Sequence, residues 1–209
     1  VPDGALFSHI SAGHNLTCGI TTEQKALCWG NNSNGQVDVP DNNFLDIATS
    51  DYNTCGIVEG NSLVCWGVDG ALTDNPPPGN DFVRMGTSRF GVINLCAIKS
   101  DHSARCWGDA SYSRNTIPLG AQFANIVVGA NSTCGVQIDG TPLCWGGDTF
   151  NCAQSTLLTD YPEGTSFLHL TVERNAVCGV TTDLTLACWG FPNNGHLSVP
   201  DVARFEHVS

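Results

Sequence analysis

The chain has 209 residues, and its 20 acidic residues against 8 basic ones give a formal net charge of -12. This balance, without any cluster of Lys and Arg, argues against nucleic acid and anionic membrane surfaces as partners, because phosphate groups attract basic clusters. No apolar run approaches the ~20 residues of a transmembrane helix, so no insertion into a membrane is expected.

A repeat of roughly forty residues organises the chain and predicts one repeat architecture rather than two unlike domains. In each unit a cysteine is followed ten positions later by a second cysteine, which opens the triplet Cys-Trp-Gly. All five tryptophans of the chain lie in these triplets. The pairs are Cys18/Cys28, Cys55/Cys65, Cys96/Cys106, Cys134/Cys144 and Cys178/Cys188.

Three strands can be placed in each unit, in chain order. The first carries a Phe and, three residues later, a second apolar residue, as at Phe7 and Ile10. The next two flank a turn between the paired cysteines, a pattern typical of a β-hairpin. Because the two cysteines are equidistant from the turn, they should face each other at a distance that a disulfide can bridge. Zinc is the alternative use of such pairs, but its sites favour a Cys-x(2–4)-Cys spacing.

A fourth strand is expected between each Cys-Trp-Gly and the next proline, and no segment shows the apolar period of a helix. Four short strands in every unit are typical of a propeller blade. The sequence therefore predicts an all-β fold, a five-bladed β-propeller with one disulfide per blade. It forms a single domain over 1–209, with repeats at approximately 1–38, 39–76, 77–117, 118–161 and 162–198.

The repeat resembles that of the regulator of chromosome condensation family. The residues that carry the resemblance are 10–20 (Ile-Ser-Ala-Gly-His-Asn-Leu-Thr-Cys-Gly-Ile) and 26–36 (Ala-Leu-Cys-Trp-Gly-Asn-Asn-Ser-Asn-Gly-Gln), and 191–200 echo the second half. The match is best to the short-repeat branch, which includes β-lactamase inhibitory protein II and crinkly-type plant receptor kinase ectodomains. The resemblance implies a propeller over essentially the whole chain. These relatives usually have seven blades, and the exchange-factor role of the chromatin member is not implied for an acidic, disulfide-rich chain.

The two ends of the chain repeat each other, since residues 199–209 restate residues 1–11. A closed five-bladed ring needs only one copy of this strand. The spare copy could pack or fray, could mark a piece of a longer array, or could link molecules head to tail into a fibre.

Cysteine usage predicts a secreted, extracellular protein, because disulfides persist in oxidising compartments. Three Asn-x-Ser/Thr sequons, at Asn15, Asn31 and Asn131, agree with secretion and are predicted glycosylation sites. Cys152 has no partner in this pairing and is either a buried thiol or a link to another chain.

The first strand supplies one candidate binding region. If side chains alternate along it, the residue before each core apolar residue faces the central channel. A ring of mixed polar groups results, which either binds a ligand or forms a water-lined tunnel whose charges satisfy one another. Its members are His9, Asp46, Arg84, Asn125 and His169.

The hairpin turns supply a second candidate region, because each carries an acid and all should lie at the end opposite the sequons. They could form a docking surface for a cationic partner, although Asp is also a favoured turn residue for backbone reasons. Calcium needs six to eight oxygens from one cluster, which no local motif provides, and no metal or cofactor is expected. The acids are Glu23, Glu59, Asp101, Asp139 and Asp183.

The tryptophans are expected to pack between blades, whereas Tyr112 and Tyr161 lie in variable loops and could stack on sugars. No catalytic motif is found, so no enzyme is predicted.

The favoured function is a secreted binding or scaffolding propeller that recognises a protein through loops on one face. A cationic protein would suit the acids of that face. The alternatives are a glycan-binding lectin and a self-assembling subunit of an extracellular glycoprotein fibre, joined head to tail through 1–11 or 199–209.

Overall fold

The structure, a computed structural model, places strands in all five repeats. It describes residues 4–50, 52–68, 70, 72–88, 94–110, 114–130, 132–146, 161–172, 176–190 and 204–205. Tyr112, Asn131 and Cys152 lie outside the described residues, as do 1–3 of the first copy of the repeated terminal segment and all of the second copy except 204–205.

Each repeat forms an antiparallel sheet of three strands, and we call these sheets blades 1 to 5. The inner strands are β1 (Phe7–Ala12), β4 (Phe44–Thr49), β7 (Phe82–Ser88), β10 (Phe123–Val128) and β13 (Phe167–Val172). The middle strands are β2 (Leu16–Thr21), β5 (Asn53–Val58), β8 (Asn94–Lys99), β11 (Ser132–Gln137) and β14 (Ala176–Thr181). The outer strands are β3 (Ala26–Gly30), β6 (Leu63–Gly67), β9 (Ala104–Gly108), β12 (Pro142–Gly146) and β15 (Leu186–Gly190).

The inner strands of successive blades lie side by side. Between blades 3 and 4 they approach closely enough to pair in parallel, with Val127 opposite Thr87. The inner strands therefore line a common axis, as in a propeller. The predicted all-β, five-bladed fold with one disulfide per blade is confirmed.

The predicted fourth strand is wrong for the described linking segments of blades 1 to 3, which form turns and extended chain instead. After blade 1, side-chain oxygens take the backbone donors that a strand would use. Asn31 Oδ1 accepts from Ser33 N at 2.8 Å, and Asn32 Oδ1 accepts from Val37 N at 3.1 Å. Such local bonds compete with a strand ladder.

Each disulfide joins directly opposite residues of the middle and outer strands. Cys134 pairs in register with Cys144, and their Cα atoms are 4.0 Å apart. The five bonds are Cys18–Cys28, Cys55–Cys65, Cys96–Cys106, Cys134–Cys144 and Cys178–Cys188.

Small residues beside the cysteines let the aromatic side chains pack. The Phe123 and Trp145 ring centroids are 5.3 Å apart. A Cβ at Gly135, which follows the first cysteine of blade 4, would lie 2.5 Å from the Phe123 ring. In Cys-Trp-Gly, Gly67 has a φ of +119°, and a Cβ there would collide with the carbonyl oxygen of Tyr52. The repeated glycines are thus explained by close approach and backbone geometry.

The core lies between blades. The front of a blade, which carries the Phe, the second apolar residue and the Trp, packs on the back of the preceding blade. Ile126 and Trp145 on the front of blade 4 meet Cys96 and Ile98 on the back of blade 3. Trp145 also donates its Nε1–H to the Arg114 carbonyl at 2.8 Å, so it holds the linking segment as well. The tryptophans therefore have structural roles.

The front of blade 1 differs from the other four. Ile10 is 56% exposed, whereas its counterparts are 0–6% exposed, namely Ile47, Met85, Ile126 and Leu170. At the far end of the array, the Phe205 N–H donates to the Leu184 carbonyl at 2.8 Å. In blades 2 to 5 the Phe that begins the inner strand bonds the hairpin turn of the preceding blade in the same way. Phe205 therefore contacts the last hairpin as the first residue of a following blade would.

Candidate functional site

Five hairpin turns and the loops that lead into the inner strands lie at one end of the blades, which we call the hairpin face. The turns span 21–25, 58–62, 99–103, 137–141 and 181–185. In each turn the fourth residue has a positive φ, as His102 does at 66°, which is typical of a three-residue hairpin loop. The carbonyl of that residue accepts the N–H of the next Phe, and His102 bonds Phe123 at 2.8 Å in this way. Each turn is therefore fixed against the following blade.

Two of the predicted acids are bound within their own turns. Ser103 donates its hydroxyl and its N–H to Asp101 Oδ1 at 2.6 and 2.9 Å, and Thr141 bonds Asp139 Oδ1 at 2.7 and 2.9 Å. These hydroxyl bonds, and then the backbone bonds, hold the pKa of Asp101 and the pKa of Asp139 below the usual range. Both carboxylates are exposed and stay charged at neutral pH.

The other predicted acids, Glu23, Glu59 and Asp183, are exposed on the same face. The only two lysines of the chain also lie there, and each is already paired with an acid of an entering loop. Lys25 Nζ is 3.0 Å from Asp41, and Lys99 Nζ is 3.0 Å from Asp81. All five predicted acids thus reach one face, where the lysines are paired with acids of the entering loops.

Large apolar side chains are exposed on the hairpin face, and the sequence interpretation missed them. The inner strand of every blade bulges just after its Phe; between Phe44 and Asp46, for example, the pairing register shifts. The bulge residue is exposed in all five blades. Three of these residues are large and apolar, with exposures of 43%, 48% and 41%: Leu45, Val83 and Leu168.

A signal for this bulge is present in the sequence. Phe44 and Ile47 are buried in the same cluster although they are three residues apart. Side chains that share one face of a regular strand are an even number of residues apart. A spacing of three therefore requires one extra residue, and that residue is the exposed one.

The predicted channel ring is brought together, and its members bond across the blade boundaries. His9 Nε2 is 3.3 Å from Asp46 Oδ1, and Asn125 Nδ2 is 3.3 Å from His169 Nδ1. Arg84 donates to a backbone carbonyl, that of Ala124, at 3.1 Å. The ring therefore ties blade to blade, which favours the tunnel alternative, although His9 Nε2 approaches Asp46 without hydrogen-bond geometry.

Asp46 is the one carboxylate of this ring, and its side chain is 15% exposed. It accepts the Met85 N–H from the next blade and the Ile47 N–H from its own, both at 2.8 Å. Burial nevertheless raises the pKa of Asp46, outweighing these bonds and the charges of His9 and Arg84. Asp46 thus connects three blades at a cost in desolvation.

The opposite end of the blades, which we call the sequon face, carries the two described sequons. Asn15 and Asn31 are exposed and adjacent, because the Asn31 N–H donates to the Asn15 carbonyl at 2.7 Å. Tyr161 was expected to be exposed for sugar stacking, and this is wrong: it is partly buried, 6.2 Å from the Trp189 ring. Tyr52, on the sequon face, is 49% exposed.

Within the described part of the chain, no three His, Cys, Asp or Glu side chains come together as a metal site. In the same ranges, no helix has the length and apolar character needed to cross a bilayer.

Comparison with known proteins agrees with this architecture. Residues 7–36 match the model of the Regulator of chromosome condensation (RCC1) repeat. The chain carries an RCC1-type repeat. The resemblance found in the sequence is thus confirmed, over the first of the five units.

Solved structures show a similarity in fold that extends over most of the chain. The entire ectodomain of the Physcomitrella patens receptor kinase CR4 is 24% identical, with a TM-score of 0.73, over 93% of this chain and 55% of that one. The CRINKLY WD40 ectodomain of the Arabidopsis thaliana receptor kinase ACR4 is 24% identical, with a TM-score of 0.75, over 99% of this chain and 73% of that one. Prp20p from Saccharomyces cerevisiae is 13% identical, with a TM-score of 0.72, over 92% of this chain and 59% of that one. At these identities the comparison shows the fold, and the chain spans between half and three quarters of each of these structures.

Proposed function

We propose that this chain is a non-enzymatic binding module of an extracellular protein and that it recognises a protein partner through the hairpin face. The observation that carries the proposal is the division between the two ends of the blades. Exposed aliphatic side chains and turn acids gather on the hairpin face, while Asn15 and Asn31 lie together on the sequon face. Glycans on those two residues would leave the hairpin face open.

Two further observations support an extracellular protein-binding role. Five disulfides suit an oxidising compartment, and two of the similar structures are receptor kinase ectodomains. Yeast RCC1 (Prp20), which has the same fold, has been solved with Kap60 bound. That partner is a property of Prp20, and it supports here only the idea that such a propeller can act as a platform for proteins.

The chain offers a sharp test of the hairpin face. Asp183 is followed by Leu184 and Thr185, so Asp183→Asn creates a sequon in an exposed turn. The glycosylated variant should lose binding to the extracellular surface of the source tissue, measured with the labelled protein. Removal of the glycan by peptide-N-glycosidase converts the asparagine back to aspartate, and binding should return. Wild-type protein treated with the same enzyme is the matched control.

The tissue surface can be treated as well. Binding through a protein partner should be lost after proteolysis of the surface and should survive periodate. Binding that survives proteolysis but not periodate would identify a lectin instead. A glycan at position 183 that leaves binding unchanged would contradict the proposed face.

Head-to-tail assembly is a second candidate, favoured by the two ends of the array. In blades 2 to 5 the equivalent front packs on the back of the preceding blade, whereas the front of blade 1 is exposed at Ile10. At the other end, Phe205 bonds the last hairpin in the way that the first residue of a further blade would. Sedimentation and electron microscopy of wild type and Ile10→Asp test this. Filaments lost in the variant would support assembly, and a monomer at all concentrations would contradict it.

A further inference from the structure

Three large apolar side chains are exposed on the hairpin face, around the mouth of the central axis. They are the bulge residues of blades 2, 3 and 5, namely Leu45, Val83 and Leu168. Since they lie on inner strands, they lie nearer the axis than the hairpin turns do. We call these three residues the apolar mouth.

Two aliphatic residues of blade 4 lie on the same face, farther from the axis. Leu119, in the loop that enters the blade, is fully exposed, and Ile138, in its hairpin turn, is 55% exposed. The Ile138 N–H bonds the Gln122 carbonyl at 3.2 Å, which places this turn beside the entering loop. Blade 4 therefore presents exposed aliphatic side chains at the rim of the face that carries the mouth. Exposed apolar residues that gather in this way mark interaction sites more often than scattered ones do.

Negative charge surrounds this surface. Each hairpin turn carries an exposed acid, and Lys25 and Lys99 are already paired with Asp41 and Asp81. A partner that places aliphatic side chains over the mouth would set its neighbouring residues among these acids. Lys or Arg at those neighbouring positions would complement them.

The chemistry of the patch separates a polypeptide from a sugar. Sugars bind proteins through aromatic stacking and dense polar contacts, whereas the mouth is aliphatic. In the polar ring deeper along the axis, Asp46 accepts the Met85 N–H and Asn125 Nδ2 bonds His169 Nδ1, so these groups are already used between blades. The side chains of the mouth are instead exposed to solvent.

We infer that the apolar mouth binds a segment of the partner protein in which aliphatic residues alternate with Lys or Arg. This inference rests on the proposed function and names the chemistry of the partner. The aliphatic side chains cover Leu45, Val83 and Leu168, and the basic side chains reach the acids of the turns.

Three synthetic twelve-residue peptides with blocked ends test the inference by fluorescence anisotropy. One alternates Leu and Lys, one Ser and Lys, and one Leu and Glu. The Leu/Lys peptide should bind at least tenfold more tightly than the Ser/Lys peptide, because it alone buries apolar surface. The Leu/Glu peptide should not bind. Raising the salt concentration should weaken the Leu/Lys complex, since its charges are exposed.

Matched double variants locate the binding. Leu45→Ser with Val83→Ser should weaken the Leu/Lys peptide by about 10–30-fold, because two half-exposed side chains no longer contribute apolar contact. Tyr52→Ser with Val68→Ser removes two residues of similar exposure, 49% and 37%, from the sequon face and should leave the affinity unchanged. Melting curves confirm that both variants are folded.

The outcomes separate the inference from the proposed function. Equal weakening by both double variants, equal binding of the Leu/Lys and Leu/Glu peptides, or no binding of any peptide would overturn the inference. If a glycan at position 183 still blocks binding to the tissue surface in such a case, the proposed function stands. If that glycan has no effect, the proposed function fails whatever the peptides do.

Discussion

A pair of equivalent isoleucines tests the open front of the array. Ile126 and Ile10 occupy the same position in blades 4 and 1, but their exposures are 2% and 56%. Ile126→Ala removes methylene and methyl groups from a closed interface with Cys96 and Ile98, which should cost about 3 kcal/mol. At about 3 °C per kcal/mol for a chain of this size, the melting temperature should fall by about 9 °C. Ile10→Ala loses less than half of that contact and should lower it by about 3 °C or less.

The measurement is thermal unfolding followed by circular dichroism at two protein concentrations. Equal losses in the two variants would refute the reasoning, because Ile10 would then be as well packed in solution as Ile126. Equal losses that depend on concentration would show that a second copy covers the front of blade 1. Equal losses without such dependence would show that a blade of the same chain covers it.

Three other predictions concern stability. Reduction of the disulfides should lower the melting temperature strongly, because each bond closes a short hairpin and contributes at most ~3 kcal/mol; an unchanged melting curve in reductant would count against this. Gly135→Ala should destabilise the fold by about 1–3 kcal/mol, since its Cβ would overlap the Phe123 ring, and a wild-type urea midpoint would contradict the packing described. Burial raises the pKa of Asp46, so the folded state binds more protons than the unfolded state between the ordinary pKa of an aspartate and this raised pKa. The stability of the wild type relative to Asp46→Asn should therefore fall as the pH rises through that raised pKa. If urea unfolding shows the same difference in free energy between the two proteins at every pH in this range, the reasoning is contradicted.

Much of the fold could be predicted because residues that recur at the same position in every repeat indicate the contacts that all blades share. Two cysteines that are equidistant from a hairpin turn are expected to face each other across the two strands, and Cys134 does face Cys144. A Trp beside a disulfide in every unit must serve something common to all blades, and Trp145 packs on Phe123. These inferences rest on local geometry.

The linking segments could not be predicted in the same way. Whether the chain after Cys-Trp-Gly forms a strand depends on competition between a ladder and side-chain bonds, as those of Asn31 and Asn32 show. Composition does not decide that competition. The exposure of Ile10 could not be predicted from one repeat either, because it depends on whether another blade packs against the front of blade 1.

The candidate site shows the same limit. The sequence predicted a channel ring and a set of turn acids, but it did not show that His9 and Asp46 approach each other to 3.3 Å. The sequence prediction assumed a regular inner strand, so it did not identify Leu45 as an exposed residue of the hairpin face. The odd spacing of Phe44 and Ile47 contained that information, and its physical meaning is a bulge.

The bulge position also explains how a repeat fold can bind a partner in one orientation. The positions that form the core of the blades carry nearly the same residues in every repeat, so they do not distinguish one blade from another. The bulge position is free of that demand, because its side chain is exposed in each blade. It varies around the axis as Ser8, Leu45, Val83, Ala124 and Leu168. Blades 2, 3 and 5 thus present large apolar groups and blades 1 and 4 small ones, and a partner that fits this order fits in one rotation only.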